Sequence, residues 1–288
     1  MKTVILHVGA PKSASTLIQN MLADNQDQLK RSNTYYETFI NKETPLGQLA
    51  YQKNISNNKL NKIREWTEKY NALNEQQIII SNERYFGNSY DNFSDIKPIV
   101  SRLRYVFKNF SVKIIAIVRR QDTFIESLYC QNIKGNLETR TFNEFIQQID
   151  IYSANWLKLL SYYEDKFGFD NIGVIPYERL LLHNIAFIQK FFQMVGINIT
   201  INNLPVVNPS LDIEAMELMR FANTFVNDMI KRYKLRKALE NIFPKSVNKP
   251  ISLFTQEQRI QLMSEYRKSN TELFQRYMKN DNINIWYN

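Results

Sequence analysis

Along the chain, the sharpest change between apolar and polar character comes at the very start. Val4, Ile5, Leu6 and Val8 give way to Gly9-Ala10-Pro11-Lys12, after which Leu17, Ile18, Met21 and Leu22 recur at helical spacing. An apolar run bounded by a Gly/Pro turn predicts a buried strand, and the recurrence at three and four residues predicts a helix. The segment therefore reads strand, tight loop, helix. Further strands are predicted at 76–81, 112–118 and 172–175. The β-branched run from Val112 to Val118 is continuous enough to be buried on both faces. Helical spacing covers 57–73, 94–108, a helix from Thr123 that Thr123 and Glu126 could cap reciprocally, then 141–149, 152–167 and 180–195. Beyond Pro205 only helical pattern remains, at 211–240 and 255–278. The polar stretch 24–60 reads as an excursion of short helices lying over the site.

Strands that alternate with helices imply a parallel sheet wrapped on both faces, so the fold class is α/β with three layers. The expected organisation is a single domain over 1–288. Residues 1–204 form the α/β core with an insertion at about 24–75, and residues 205–288 form a helical C-terminal region packed on it. The composition, 44% apolar and 13% aromatic, excludes disorder. A formal net charge of +9 points to anionic partners without choosing among them. Cys130 is the one cysteine, which excludes an intrachain disulfide and a cysteine metal site. No stretch has the length of a transmembrane span, and the first apolar run is too short for a signal core, so a cytoplasmic location is expected.

Ligands of open parallel sheets sit beyond the carboxyl ends of the strands. Three such ends carry polar residues: Lys12 to Thr16, Ser81 to Arg84 and Arg119 to Asp122. The first combines Pro11, Lys12, Ser13, Ala14, Ser15 and Thr16 with a helix start, whose N–H groups lack intrahelical partners and attract anions. It is not an ATP-type P-loop, because Lys12 follows Gly9 by three residues and Pro11 stands where a second glycine belongs. Arg119 directly follows an apolar strand and Ser127 lies eight residues on: either a planar cation and a hydroxyl that could clamp a phosphate, or, with Arg120, ordinary strand-end cations and a solvent-facing helix serine.

The Gly-x-Pro-Lys-x-x-Ser-Thr loop and the Arg119-x7-Ser127 spacing resemble the sulfotransferases that use 3′-phosphoadenylyl sulfate (PAPS), in their bacterial branch. Other stretches are similar too: Phe142-x-x-Phe145, Tyr163-x-x-x-Phe167-Gly168, Val174-x-x-Tyr177-Glu178, Val195-Gly196-Ile197, Val207-Asn208-x-Ser210-Leu211 and Tyr266-x-x-x-Asn270. The likeness is weakest between 24 and 75. Two departures stand out. Ala14 occupies a position often held by glycine, and the C-terminal Arg-Lys-Gly element of the animal enzymes is absent. The resemblance implies a P-loop-NTPase-like topology and a PAPS donor leaving PAP. It also implies a 5′-phosphosulfate held by Pro11 to Thr16, a 3′-phosphate held by Arg119 and Ser127, and no metal.

Sulfuryl transfer needs a cation where charge grows on the leaving oxygen, the role implied for Lys12, and a base for the acceptor proton. Glu83 is the candidate base because it ends a strand in the same crevice, where the animal enzymes carry a histidine. The bland account of Glu83 is a surface carboxylate paired with Arg84 or a nearby lysine. His7 is the rival, although a buried strand histidine is more often neutral and hydrogen-bonded. His183, read as lying within a helix, is given no role. Tyr35-Tyr36 and Tyr85-Phe86 could stack on an acceptor sugar or simply fill the core. The basic run Lys231 to Lys237 is a solvated helix face or a contact with an anionic polymer or lipid headgroups. The acceptor is expected to be a carbohydrate, glycolipid or small molecule bearing a hydroxyl or amine, and no nucleic acid partner is expected. The rival functions are a small-molecule or nucleotide kinase with a degenerate P-loop, and a non-catalytic binder of anionic polymers.

Overall fold

A computed structural model describes residues 1–38, 40–201, 211–243 and 251–287. The motif stretch Val207 to Ser210 lies outside them. Among the described residues five strands form one sheet: β1 (Thr3–Gly9), β2 (Thr34–Glu37), β3 (Gln77–Ser81), β4 (Ser111–Val118) and β5 (Ile172–Pro176). All neighbours are parallel, in the order β2-β3-β1-β4-β5, with His7 opposite Ser81 on one side and Ile115 on the other. The chain runs outward from β1 to one edge, returns, and crosses β1 to build the other half. The carboxyl end of β1 is therefore the point where strand order reverses, the usual ligand position in such sheets.

The first helices are α1 (Ser15–Asp24), α2 (Gln26–Arg31), α3 (Pro45–Tyr51), α4 (Asn57–Thr67) and α5 (Ile96–Val106). They are followed by α6 (Gln121–Gly135), α7 (Phe142–Gln148), α8 (Trp156–Phe167), α9 (Glu178–Leu182) and α10 (Asn184–Val195). The last are α11 (Ile213–Ala222), α12 (Met229–Ile242), α13 (Gln256–Tyr277) and α14 (Asn284–Tyr287).

The chain divides into two compact units. One comprises Met1–Arg120, Ser153–Pro205 and Tyr266–Asn288, and the other Gln121–Tyr152 and Val206–Glu265. The first holds the sheet. Ile5, Ile79, Ile117 and Ile175 point to one face, where Leu17, Ile18, Met21 and Leu22 of α1 and Phe187, Ile188, Phe191 and Phe192 of α10 bury them. The alternate residues Leu6, Ile80, Ile114 and Val174 are buried on the other face, on whose side α8 packs against β4 and β5 and α5 packs on α8. This is the three-layer α/β arrangement, with strands buried on both sides as their unbroken apolar runs require. The second unit is helical. In it, Asp122 and Glu126 of α6 meet Arg259, whose Nη2 lies 2.8 Å from Glu126 Oε1, and the same carboxylate accepts from the N–H groups of Leu253 (2.7 Å) and Phe254 (3.1 Å).

Several expectations are corrected. The polar stretch after α1 contains an edge strand, β2, paired with β3 from Thr34 to Glu37. The helix expected over 180–195 breaks at His183, which lies between α9 and α10 in extended conformation and not within a helix. The pattern over 211–240 is two helices, α11 and α12, separated by a turn. The helix after β4 starts at Gln121, two residues before Thr123, and the Glu126 carboxylate is committed to Arg259 and the 253–254 backbone. Among the described residues no helix is long and apolar enough to cross a membrane.

Candidate active site

The loop from Gly9 to Ser15 leaves β1 through Ala10, whose N–H donates to the Ile117 carbonyl at 2.9 Å, so the turn stays tied to β4. It then passes through the left-handed backbone region at Lys12 (φ 65°) and again at Ala14 (φ 67°). Such alternation turns successive N–H groups inward as an anion-binding concavity. Ala14 is also the residue preceding α1, and no side chain caps the N–H groups of that helix start. A left-handed alanine costs about 1 kcal/mol over glycine, so the departure noted in the sequence is held against strain.

Ser13 and Ser15 are buried, and their hydroxyls have no hydrogen-bond partner among the described residues. A buried hydroxyl left unpaired costs roughly 1–3 kcal/mol. Gly9 forms the floor. A Cβ there would meet Ser15 Oγ at 3.5 Å and His7 Nε2 at 3.8 Å. Lys12 and Thr16 are exposed at the rim and Pro11 is half-buried. The chemistry of this donor set fits a phosphosulfate: backbone N–H groups, two unspent hydroxyls and a cation, with no carboxylate among them.

The third strand end contacts this loop, and the second is tied to β1 and α1 beside it. The Arg119 guanidinium donates to the Lys12 carbonyl at 2.9 Å and lies 4.6 Å from the centre of the Tyr177 ring. Its backbone carbonyl accepts from the Trp156 indole at 2.7 Å, and the neighbouring Arg120 N–H donates to the buried Glu178 carboxylate at 2.9 Å. Lys12 and Arg119 thus meet at the carboxyl ends of β1 and β4. From β3, the Asn82 N–H donates to the His7 carbonyl (3.1 Å), and Gln19 Nε2, one turn into α1 from Ser15, reaches the Ser81 carbonyl at 3.4 Å.

Glu83 opens the 3-10 turn after β3 and is exposed. Arg84 pairs with Asp95 and not with Glu83, and the Asn88 N–H donates to the other carboxylate oxygen of Asp95 at 2.8 Å; an exposed Glu83 agrees equally with a surface carboxylate. His7 is buried, with Nδ1 2.8 Å from Ser81 Oγ and its ring edge-on to Phe191 at 5.2 Å. Burial lowers its pKa to about 3, so it is neutral at ordinary pH, and Nε2 has no partner. Ser127 is half-buried on α6, in the second unit. Tyr85 and Phe86 are wholly buried, which favours core filling, while Tyr35 and Tyr36 lie half-buried on β2.

Two participants escaped the sequence reading. Asn82 is buried with its Nδ2 unpaired while Oδ1 accepts from the Arg84 N–H at 3.0 Å, and Gln19 joins α1 to β3. Only the i+4 spacing of Gln19 from Ser15 could have signalled the second. Among the described residues no group of three or more His, Cys, Asp or Glu side chains is placed to hold a metal.

No protein-family model matches the chain. Its fold is that of a sulfotransferase. The sulfotransferase from Alicyclobacillus acidocaldarius superimposes with a TM-score of 0.56 at 11% identity, covering 100% of both chains. A mouse sulfotransferase complexed with PAP superimposes with a TM-score of 0.45 at 15% identity, over 95% of this chain and 85% of that one. In sequence, the chain is 31% identical over 180 residues to an uncharacterized protein of Archaeoglobus fulgidus, 61% of this chain and 49% of that protein. The match thus spans about half the length of that relative.

Proposed function

We propose that this protein moves a sulfuryl group from PAPS to a hydroxyl or amine of a carbohydrate, glycolipid or small-molecule acceptor. The observation that carries the reading is the pair of buried, unpartnered hydroxyls of Ser13 and Ser15 ahead of an uncapped helix start. Such groups are tolerated where a ligand satisfies them. PAPS supplies a sulfuryl group already joined to a phosphate leaving group. Lys12, the loop N–H groups and the two serines stabilise the charge that grows on the leaving oxygen, as an oxyanion hole does. Arg119 takes the 3′-phosphate by resemblance, and its contact with the Lys12 carbonyl couples that grip to the shape of the loop. Ser127 carries the role that the resemblance implies, a hydroxyl for the same phosphate.

Glu83 accepts the proton of the acceptor hydroxyl. The acceptor oxygen forms the new S–O bond, the bond from sulfur to the bridging oxygen breaks, and that electron pair leaves on the phosphate of PAP. His7, neutral and tied to Ser81, is a weaker candidate for the base. The test is transfer of 35S from labelled PAPS to a panel of glycans, glycolipids and phenols. Lys12→Ala should lower the rate about 100 to 1,000-fold and Glu83→Gln about 100 to 10,000-fold, with PAP binding retained in the second. An enzyme that labels no acceptor, or labels one equally well in both variants, contradicts the reading.

A further inference from the structure

The helical second unit carries a surface that the proposed reaction does not use. α11 and α12 form a hairpin, and around its turn Phe221, Phe225, Met229, Ile230 and Tyr233 are between 56% and 80% exposed. Single exposed apolar side chains are ordinary, but five within thirteen residues form a patch. The two phenylalanines are in edge contact at 5.5 Å, so the patch is continuous at its tip.

The tip is presented by a well-tied scaffold. Asn223, buried, donates to the carbonyls of Ile133 (2.9 Å) and Glu138 (2.8 Å). Arg232 is buried as well, and its Nε donates to the Asn223 side-chain oxygen at 3.2 Å. The turn is thus pinned from beneath by polar contacts while its outward face is apolar. Charge on that face is mixed but leans positive, with one exposed carboxylate in the turn, Asp228, which caps the start of α12. Lys237 and Arg236 are spent on Glu240, and Arg220 on Glu217. Lys231 and Lys234, exposed beside Ile230 and Tyr233, have no ion pair among the described residues.

We propose that this hairpin tip docks on an anionic phospholipid surface, with Phe221, Phe225 and Met229 entering the headgroup boundary and Lys231 and Lys234 meeting lipid phosphates. Exposed aromatic and aliphatic side chains beside lysines, here shared between the end of α11, the turn and the first turns of α12, are the composition of interfacial segments. Self-association through the same patch is the alternative that the test separates. The inference stands apart from the proposed reaction.

Co-sedimentation of the full chain with vesicles tests it, comparing phosphatidylcholine alone with phosphatidylcholine containing about one third phosphatidylglycerol. Partitioning should favour the anionic vesicles and weaken as salt rises. Lys231→Gln with Lys234→Gln should weaken it about 30-fold, from about 1 kcal/mol per charge. Phe221→Ser with Phe225→Ser should abolish it with an unchanged melting temperature, since both rings are exposed. Equal partitioning to the two vesicle types, or binding untouched by the phenylalanine substitutions, overturns the proposal. So does a dimer in sedimentation that the same substitutions dissolve in the absence of vesicle binding.

Discussion

Two clusters of buried polar side chains in this molecule are spent in opposite ways. On α6 and α13, Asp122 and Glu126 face Arg259, and the remaining Glu126 capacity goes to two backbone N–H groups. In the loop after β1, Ser13 and Ser15 are buried just as fully, yet their hydroxyls have nothing to bond. The first cluster is closed on itself and holds helices together. The second is left open at a cost, beside a backbone strained at Lys12 and Ala14. Polar groups that stabilise a fold are satisfied by the fold; polar groups kept for a ligand are not.

The largest expected effect breaks the closed cluster. Arg259→Met leaves two carboxylates buried without their cation, and should cost about 3–5 kcal/mol in chemical denaturation. A loss under about 1 kcal/mol would show that the ion pairs are solvent-screened surface contacts.

His7 lies between the extremes, with one ring nitrogen satisfied and the other not. Its folded pKa, lowered to about 3, is below that of the unfolded chain, so the unfolded state takes up a proton first as the medium is acidified. Its contribution is complete above about pH 6.5 and declines below it, by about 2 kcal/mol at pH 5. Melting temperatures followed from pH 8 to about 4 should fall more steeply for the native protein than for His7→Gln. Parallel curves would mean that His7 is accessible to protons in the folded state.

The smallest effect sharpens the contrast most. Ser15→Ala removes an unpaired buried hydroxyl and places a good helix former at the start of α1, so it should stabilise the apoprotein by about 1 kcal/mol. The same change should weaken PAP binding. Stability and binding moving together would put Ser15 in the closed class.

Much of this was legible in the chain. The buried strands β1, β3, β4 and β5 announced themselves as apolar runs, and the loop after β1 by its Gly, Pro, Lys and hydroxyl residues in a row. β2 was not legible because it is four residues long, lies at the sheet edge among polar neighbours, and is defined by pairing with β3. The Glu126 contacts were hidden for a related reason: its backbone partners Leu253 and Phe254 are 127 and 128 residues away, beyond any local cap pattern. Sequence order also gave no sign that Arg119 reaches a carbonyl 107 residues upstream. That contact joins two of the three polar strand ends, those of β1 and β4.

The measurement that bears most directly on this account is the melting temperature of the protein with PAP, with 5′-AMP and with ATP-Mg2+. A ligand held only by the native state raises it, by about 2.7 kcal/mol of stability at one hundred times the dissociation constant. The account predicts a clear shift with PAP and no added metal, little with 5′-AMP, and loss of the PAP shift in Arg119→Ala. Equal shifts from ATP-Mg2+ and PAP, or a PAP shift that survives Arg119→Ala, would contradict it.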